Sequence, residues 1–187
     1  MSSSACRCSP LTVLLPPGRL VAAACKCRLY AVATKTASDD LVQFFDDLVR
    51  AETRLYNALS DTLRREHGIV ATQYEFLCYF RDHPESRIAD VATNFAAGVG
   101  AISKGVDRLA ARGWVDRRPN PADGRSTLVS LTYTGAALVA AAEVTFRRRL
   151  AELAARTVDD DQMEAAGAVL HTLRASLERD RLGLPVG

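Results

Sequence analysis

Apolar residues recur at intervals of three and four along most of this chain, and the periodic runs are interrupted at a few places by Gly, Pro or clustered polar residues. The first clear run is Leu41, Phe44, Phe45, Leu48, Ala51, Leu55, Leu59 and Leu63, one stripe of a long amphipathic helix. Ser38, followed by Asp39 and Asp40, predicts its start, because serine caps free amides and the helix dipole favours acids in the first turn. His67-Gly68 predicts its end. A second helix is predicted from Thr72, with Glu75 completing a capping box, through Tyr74, Leu77, Cys78 and Phe80 to a stop at Asp82-His83-Pro84. Ser86 caps a short third helix that turns Ile88, Val91, Ala92 and Phe95 inward. After a turn at Ala96-Ala97-Gly98, a fourth helix runs from about Val99 to Arg112 with Ile102, Val106 and Leu109 as its buried stripe.

The period then changes. Trp114 to Arg118 and Thr127 to Leu131 read as two strands joined by a turn over residues 119–124, a hairpin expected to carry Arg117, Arg118 and Arg125 to an exposed tip. A plain surface hairpin is one reading. Two helices and a short turn directly in front of it give the other, a winged helix-turn-helix, whose second helix enters a DNA groove. Small residues at the front of the fourth helix would let its backbone approach a groove, with Ser103 and Lys104 reaching base edges and phosphates. The alternative, a merely solvated face, leaves Gly105 unexplained, since a glycine inside a helix costs about 1 kcal/mol against alanine.

Behind the hairpin, Thr132 or Thr134 begins a fifth helix, running from Ala136 to about Arg156 with Leu138, Val139, Ala142, Phe146, Leu150 and Leu153. Thr157 with Asp160 opens a sixth, carrying Met163, Val169, Leu170, Leu173 and Leu177. The first, fifth and sixth helices hold more apolar surface than one small head can cover, which implies a second copy of the chain. The fold class expected is mainly α: about six helices and a two- or three-stranded wing, in a helical homodimer.

Charge changes this picture only by region. The 187 residues carry a net charge of +2, so no global argument for nucleic acid exists. Residues 86–125, however, hold seven basic residues against four acids. Residues 1–38 hold five basic residues and no acid, are Ser-rich, and are read as a disordered extension or as the result of a start assigned too early. Pro16-Pro17-Gly18-Arg19 splits their apolar stretches and argues against an export signal, so a cytoplasmic protein is expected. No run of 18 apolar residues exists, and no membrane association is expected.

Candidate chemistry is sparse. Cys6, Cys8, Cys25 and Cys27 form two Cys-x-Cys pairs, a poor spacing for zinc with no histidine near, and Cys78 sits on an apolar helix. His67, His83 and His171 are scattered, with no Ser-His-Asp grouping. No enzyme, metal or cofactor is expected.

Four pieces together resemble the MarR family of bacterial regulators, named for multiple antibiotic resistance. They are Gly105 to Val115 (GVDRLAARGWV), Arg117-Arg118-Pro119, Asp123-Gly124-Arg125-Ser126 and Leu131-Thr132-Tyr133-Thr134-Gly135, in order and at the family's spacing, within a similarity that covers about residues 39–182. The resemblance implies an obligate homodimer held by helices at 39–67 and 136–182, with residues 183–187 as a tail. It implies recognition helices in major grooves and wings in minor grooves of a pseudo-palindromic operator in double-stranded DNA. Carried over by position, Gly100, Ala101, Ser103 and Lys104 read bases and Arg125 enters the minor groove, oriented by Asp123; Arg108 on the exposed side of the fourth helix and Arg117 and Arg118 of the hairpin are further DNA-binding candidates. The family usually has Ser or Thr where Gly98, Gly100 and Ala101 stand, so base readout here is expected to be thinner and shape readout larger.

The resemblance also implies release from DNA by a small anionic or phenolic effector in a cleft beside the dimer helices, with Arg54, Tyr56 and Tyr74 as candidate contacts. Peroxide sensing through a cysteine near the first helix is not expected, because no cysteine lies between Ser38 and Leu77. The function expected is a sequence-specific transcriptional regulator, a repressor relieved by ligand. The alternative is a winged-helix module that binds protein and no specific DNA.

Overall fold

The computed structural model describes the backbone of residues 26–185 and the side chains of residues 39–185. In chain order the elements are α1 (Lys26–His67), α2 (Ala71–Asp82), β1 (Ser86–Arg87), α3 (Ile88–Asn94), α4 (Val99–Ala111), β2 (Val115–Asn120), β3 (Asp123–Leu131), α5 (Tyr133–Ala154) and α6 (Asp160–Arg179). The strands form one antiparallel sheet in the order β1-β3-β2. The chain divides into a unit ending at Asp46 and a unit beginning at Asp47. The described part of the first is helical throughout, and Leu41, Val42, Phe44 and Phe45 are exposed on it.

The predicted helix start at Ser38 is overturned, because α1 begins at Lys26 and passes Ser38 without a break. From Arg28 to Ser38 the sequence holds no Gly or Pro and three Ala, so nothing local stops a helix there. The expectations for residues 1–25, including Cys6, Cys8 and Cys25, fall outside the described residues, as does the side chain of Cys27. Among the described residues no helix is long and apolar enough to cross a membrane, and no three His, Cys, Asp or Glu side chains are grouped to hold a metal.

The second unit is built on two apolar clusters. In the larger, Leu77 and Phe80 of α2, Val91 of α3, Ile102, Val106 and Leu109 of α4, Val129 of β3 and Val139 of α5 are buried together. The smaller joins Leu63, Ile69, Ala71, Tyr74 and Ala142, with Tyr74 stacked on Phe146 at 4.8 Å between ring centres. Cys78, Trp114 and Leu138 pack against both clusters and so connect them. The predicted α4 stripe of Ile102, Val106 and Leu109 is buried as read.

Three further helix starts differ from the predicted ones, two of them because the side chain read as a cap has a better partner elsewhere. Thr72 and Glu75 do not cap α2; its N-cap is Val70, whose amide donates to Gln73 Oε1 at 3.0 Å. Thr72 and Glu75 instead bond the Tyr56 hydroxyl of α1, at 2.7 and 3.0 Å. Ser86 lies buried in β1 and donates to the His83 carbonyl, leaving Arg87 as the N-cap of α3 with its amide on Asp90. Helix α6 is opened by Asp159 and Gln162, each side chain accepting from the other's amide at 2.8 and 3.1 Å, rather than by Thr157 and Asp160.

The end of α4 and the start of α5 are locked to one another. Gly113, at φ +70°, closes α4 with Trp114 N–H returning to the Leu109 carbonyl at 3.1 Å. Thr132 caps α5 by accepting from the Gly135 amide at 3.0 Å, and the Thr132 and Thr134 hydroxyls donate to the Gly113 carbonyl at 2.7 and 2.8 Å. Gly135 packs so closely on the Trp114 carbonyl that a Cβ there would run into it. The stretch Leu-Thr-Tyr-Thr-Gly is thus a joint: two hydroxyls and one missing side chain dock α5 onto the turn between α4 and β2.

Candidate nucleic-acid interface

Burying Ile102, Val106 and Leu109 on one side of α4 leaves its other side to solvent, where Gly100, Ala101, Lys104, Asp107 and Arg108 are exposed and Ser103 is half-buried. Among the described residues, the Lys104 and Arg108 side chains make no hydrogen bond or ion pair. Gly105 is not part of this outer face. A Cβ at Gly105 would sit 2.8 Å from Cε2 of Phe76, so the glycine makes room for a core ring, and packing rather than groove approach accounts for it. Gly98 and Gly100 have nothing within 4 Å of a would-be Cβ, so no packing demands a glycine at either.

The hairpin is longer in its strands and tighter in its turn than predicted. Asn120 pairs with Asp123, which shortens the connection to Pro121-Ala122, and the ladder is irregular between Pro119 and Asn120. Asn120 Oδ1 accepts the Ala122 amide at 3.0 Å, and Asn120 Nδ2 donates to Ser126 at 2.8 Å, so side chains close the tip. Asp123 Oδ1 accepts the Arg125 amide at 3.0 Å. It therefore shapes the backbone under Arg125 and does not hold the guanidinium, which is exposed and has no ion-pair partner among the described residues.

Arg117 and Arg118 are not at the tip. They lie opposite Val129 and Leu128, in the body of the sheet. Successive strand residues point to opposite faces, and each arginine meets a carboxylate from another element: Arg117 pairs with Asp107 of α4, and Arg118 pairs with Glu85 before β1. Arg112 lies over the Trp114 ring at 4.4 Å, and Arg87 pairs with Asp90 at 2.7 Å, which holds the Asp90 carboxyl below its ordinary value. Asp107 and Glu85 had no weight in the sequence reading. The signal for Asp107 was its place one turn beyond Ser103 on the outer face; Glu85 gave none, because its approach to Arg118 depends on strand pairing.

Of the three candidate effector contacts, Tyr56 packs against the apolar cluster that contains Tyr74. Arg54 is exposed, Tyr74 is buried under Phe146, and Tyr56 is tied to Thr72 and Glu75. Desolvation, with the charge and hydrogen bond of Glu75 adding and the Thr72 hydrogen bond opposing, pushes the Tyr56 hydroxyl up to about 12, and desolvation also raises Tyr74. A cleft of about 590 Å³ lies instead between α2 and α4, with Phe76 and Ile102 on its walls and Thr72, Gln73 and Arg108 supplying polar groups. Thr72 connects it to Tyr56; neither Arg54 nor Tyr74 lines it.

Comparison with known proteins follows this geometry. Residues 69–127, from the start of α2 to the wing, match the model of the MarR family. The multiple antibiotic resistance protein MarR of Escherichia coli (strain K12) is 35% identical over 88 residues, which cover 45% of this chain and 61% of the relative. The HTH-type transcriptional repressor NicR of Pseudomonas putida is 28% identical over 141 residues, covering 75% of this chain and 87% of that protein. The structure of Sco3205, a MarR family transcriptional regulator from Streptomyces coelicolor in complex with DNA, superposes with a TM-score of 0.69 at 22% identity, over 80% of this chain and 93% of its own. The chain spans about three fifths of the length of the E. coli relative. The stretch from α2 to β3, arranged as a winged helix-turn-helix, is thus the part of the chain that matches the MarR family.

Proposed function

We propose that the protein is a sequence-specific DNA-binding transcriptional regulator of the repressor type, acting in the bacterial cytoplasm as a homodimer and released from its operator by a small anionic or phenolic ligand. One observation carries the DNA reading: α4 is anchored by three buried residues and offers Ser103, Lys104 and Arg108 outward, beside a hairpin whose tip carries the free Arg125. A buried stripe fixes the rotation of the helix, so the outward set is presented in one orientation to a major groove, with the tip arginine one step away for the minor groove. NicR, by its name a repressor, and Sco3205, solved with DNA, support the same reading.

The homodimer reading rests on α6, where no residue is buried and Met163, Val169, Leu170, Leu173 and Leu177 stand exposed along one helix. The effector reading rests on the cleft between α2 and α4. Its apolar walls suit a flat ring and Arg108 an anionic group, and an occupant would lie against the helix that carries Ser103 and Lys104.

Binding of Lys104→Ala and Arg125→Ala to a library of operator variants tests the docking. Loss of Lys104 should cost about 1 to 3 kcal/mol and relax choice at one symmetric pair of positions, while loss of Arg125 should weaken binding broadly and reduce the preference for A·T-rich flanks. Unchanged affinity in both, or a weak response of wild-type binding to salt, would favour a protein-binding module instead.

A further inference from the structure

The basic residues between Ser86 and Arg125 are not equally available to a partner. Lys104, Arg108 and Arg125 are free among the described residues, whereas Arg117 and Arg118 are each matched with one carboxylate, Asp107 and Glu85. One carboxylate comes from α4 and the other from the turn before β1, so the matching does not arise from one local sequence motif. Both are 56% exposed, and Asp107 lies on the outer face of α4, one turn from Ser103 and Lys104. Glu85 is held at a left-handed φ of 62°, a conformation uncommon for a glutamate, with its amide on Ser130 at 3.3 Å. An acid on a face that meets phosphates lowers affinity for every DNA sequence, so its presence there calls for a compensating role.

We propose that Asp107 and Glu85 are specificity-determining residues of the DNA-binding face: each holds a wing arginine in an internal ion pair and so withholds that cation from DNA that fits poorly. The inference rests on the DNA-binding reading above. Sequence-independent binding is supplied by cations that neutralise phosphates and release counterions, so every arginine kept on a carboxylate weakens it. Exposed ion pairs are weak and open readily. On a site that admits α4 fully, the strand comes close enough for phosphate to replace carboxylate on the arginine. On other sequences the pair stays closed. The affinity difference between fitted and unfitted DNA widens, although neither acid touches a base.

The test measures binding of the full chain, across a salt series, to a random-sequence duplex of about 20 base pairs and to the tightest-binding fragment selected from the source genome. Asp107→Asn and Glu85→Gln should each tighten binding to the random duplex several-fold and steepen its log affinity against log salt by about 0.9 per freed arginine. The ratio of selected to random affinity should fall in both. Asp107→Asn combined with Arg117→Gln frees no cation and should return the slope to the wild-type value or below it. If the single variants keep the wild-type slope and ratio while wild type binds with steep salt dependence, this inference fails and the DNA reading stands. The same holds if the double variant matches Asp107→Asn alone. If wild type shows no steep salt dependence on either duplex, the DNA reading fails and takes the inference with it.

Discussion

Helices α4 and α6 carry apolar residues at the same three-and-four spacing and meet opposite fates. Ile102, Val106 and Leu109 of α4 are at most 2% exposed, sealed by α2, α3, the sheet and α5, whereas Leu170, Leu173 and Leu177 of α6 keep 40 to 42% of their surface open. A stripe in a sequence reports that a surface must be covered; it says nothing of which chain supplies the cover. In the winged lobe the neighbours arrive within about fifty residues of sequence. Among the described residues no element buries any residue of α6, and a second copy is the simplest source. Helix α5 belongs to both regions: Gly135, Val139, Ala142 and Thr145 are buried in the lobe, while Leu150 beyond them is exposed.

The comparison breaks most severely at the joint that fixes α5 to the lobe. Gly135→Ala forces a methyl group into the Trp114 carbonyl, and no flexible side chain is available to yield. The two hydroxyl bonds onto Gly113 would be lost with the docking. The expected loss is upwards of about 4 kcal/mol, enough to remove a cooperative denaturant transition from a domain of ordinary stability. A transition like that of wild type would show that α5 can tilt and that the lobe does not depend on this contact.

Next in size is a matched pair of changes, one on each helix. Leu109→Ala empties a fully buried site and should cost about 2 to 5 kcal/mol in urea unfolding. Leu173→Glu should leave the lobe's packing untouched, because Leu173 is no part of its buried clusters, and should lower the dimer fraction in analytical ultracentrifugation together with DNA affinity. A Leu173→Glu variant that stays fully dimeric would mean that α6 is covered by something other than a second α6 face.

What could be read from the sequence divides along the same line. Element order, the buried stripe of α4, the wing and the Leu-Thr-x-x-Gly joint were legible, because each is set by local periodicity or turn chemistry. Helix starts were less so. Thr72, Ser86 and Thr157 have the chemistry of caps, yet Thr72 is taken by a tertiary partner, Tyr56, that sequence spacing does not display, and Ser86 turns back to the His83 carbonyl three residues before it. Gly105 was legible as an anomaly, but its cause, the Phe76 ring, lies twenty-nine residues earlier across a helix pair. Among site residues, Ser103, Lys104 and Arg125 stand where the pattern put them, while Arg117 and Arg118 do not stand at the tip, because strand alternation sends them to two faces with a carboxylate on each.

The smallest expected effect concerns the link between α1 and α2. Glu75 is half-buried, and desolvation raises its carboxyl above the ordinary glutamate value of about 4.3, with the Tyr56 hydrogen bond opposing and the charge of Glu52 adding to the rise. A carboxyl raised on folding supports the fold fully only below the unfolded value and withdraws that support as pH climbs through the folded value, because the folded state then holds a charge it solvates poorly. Glu75→Gln keeps an acceptor for the Tyr56 hydroxyl and removes the charge. It should therefore match wild type near pH 4 and become more stable by about 1 kcal/mol or less near pH 7, read as a difference in urea midpoint that grows from acid to neutral. An equal or inverted difference across that range would show that the hydrogen bond to an ionised Glu75 outweighs the cost of burying it, and that α1 is tied to α2 by charge rather than in spite of it.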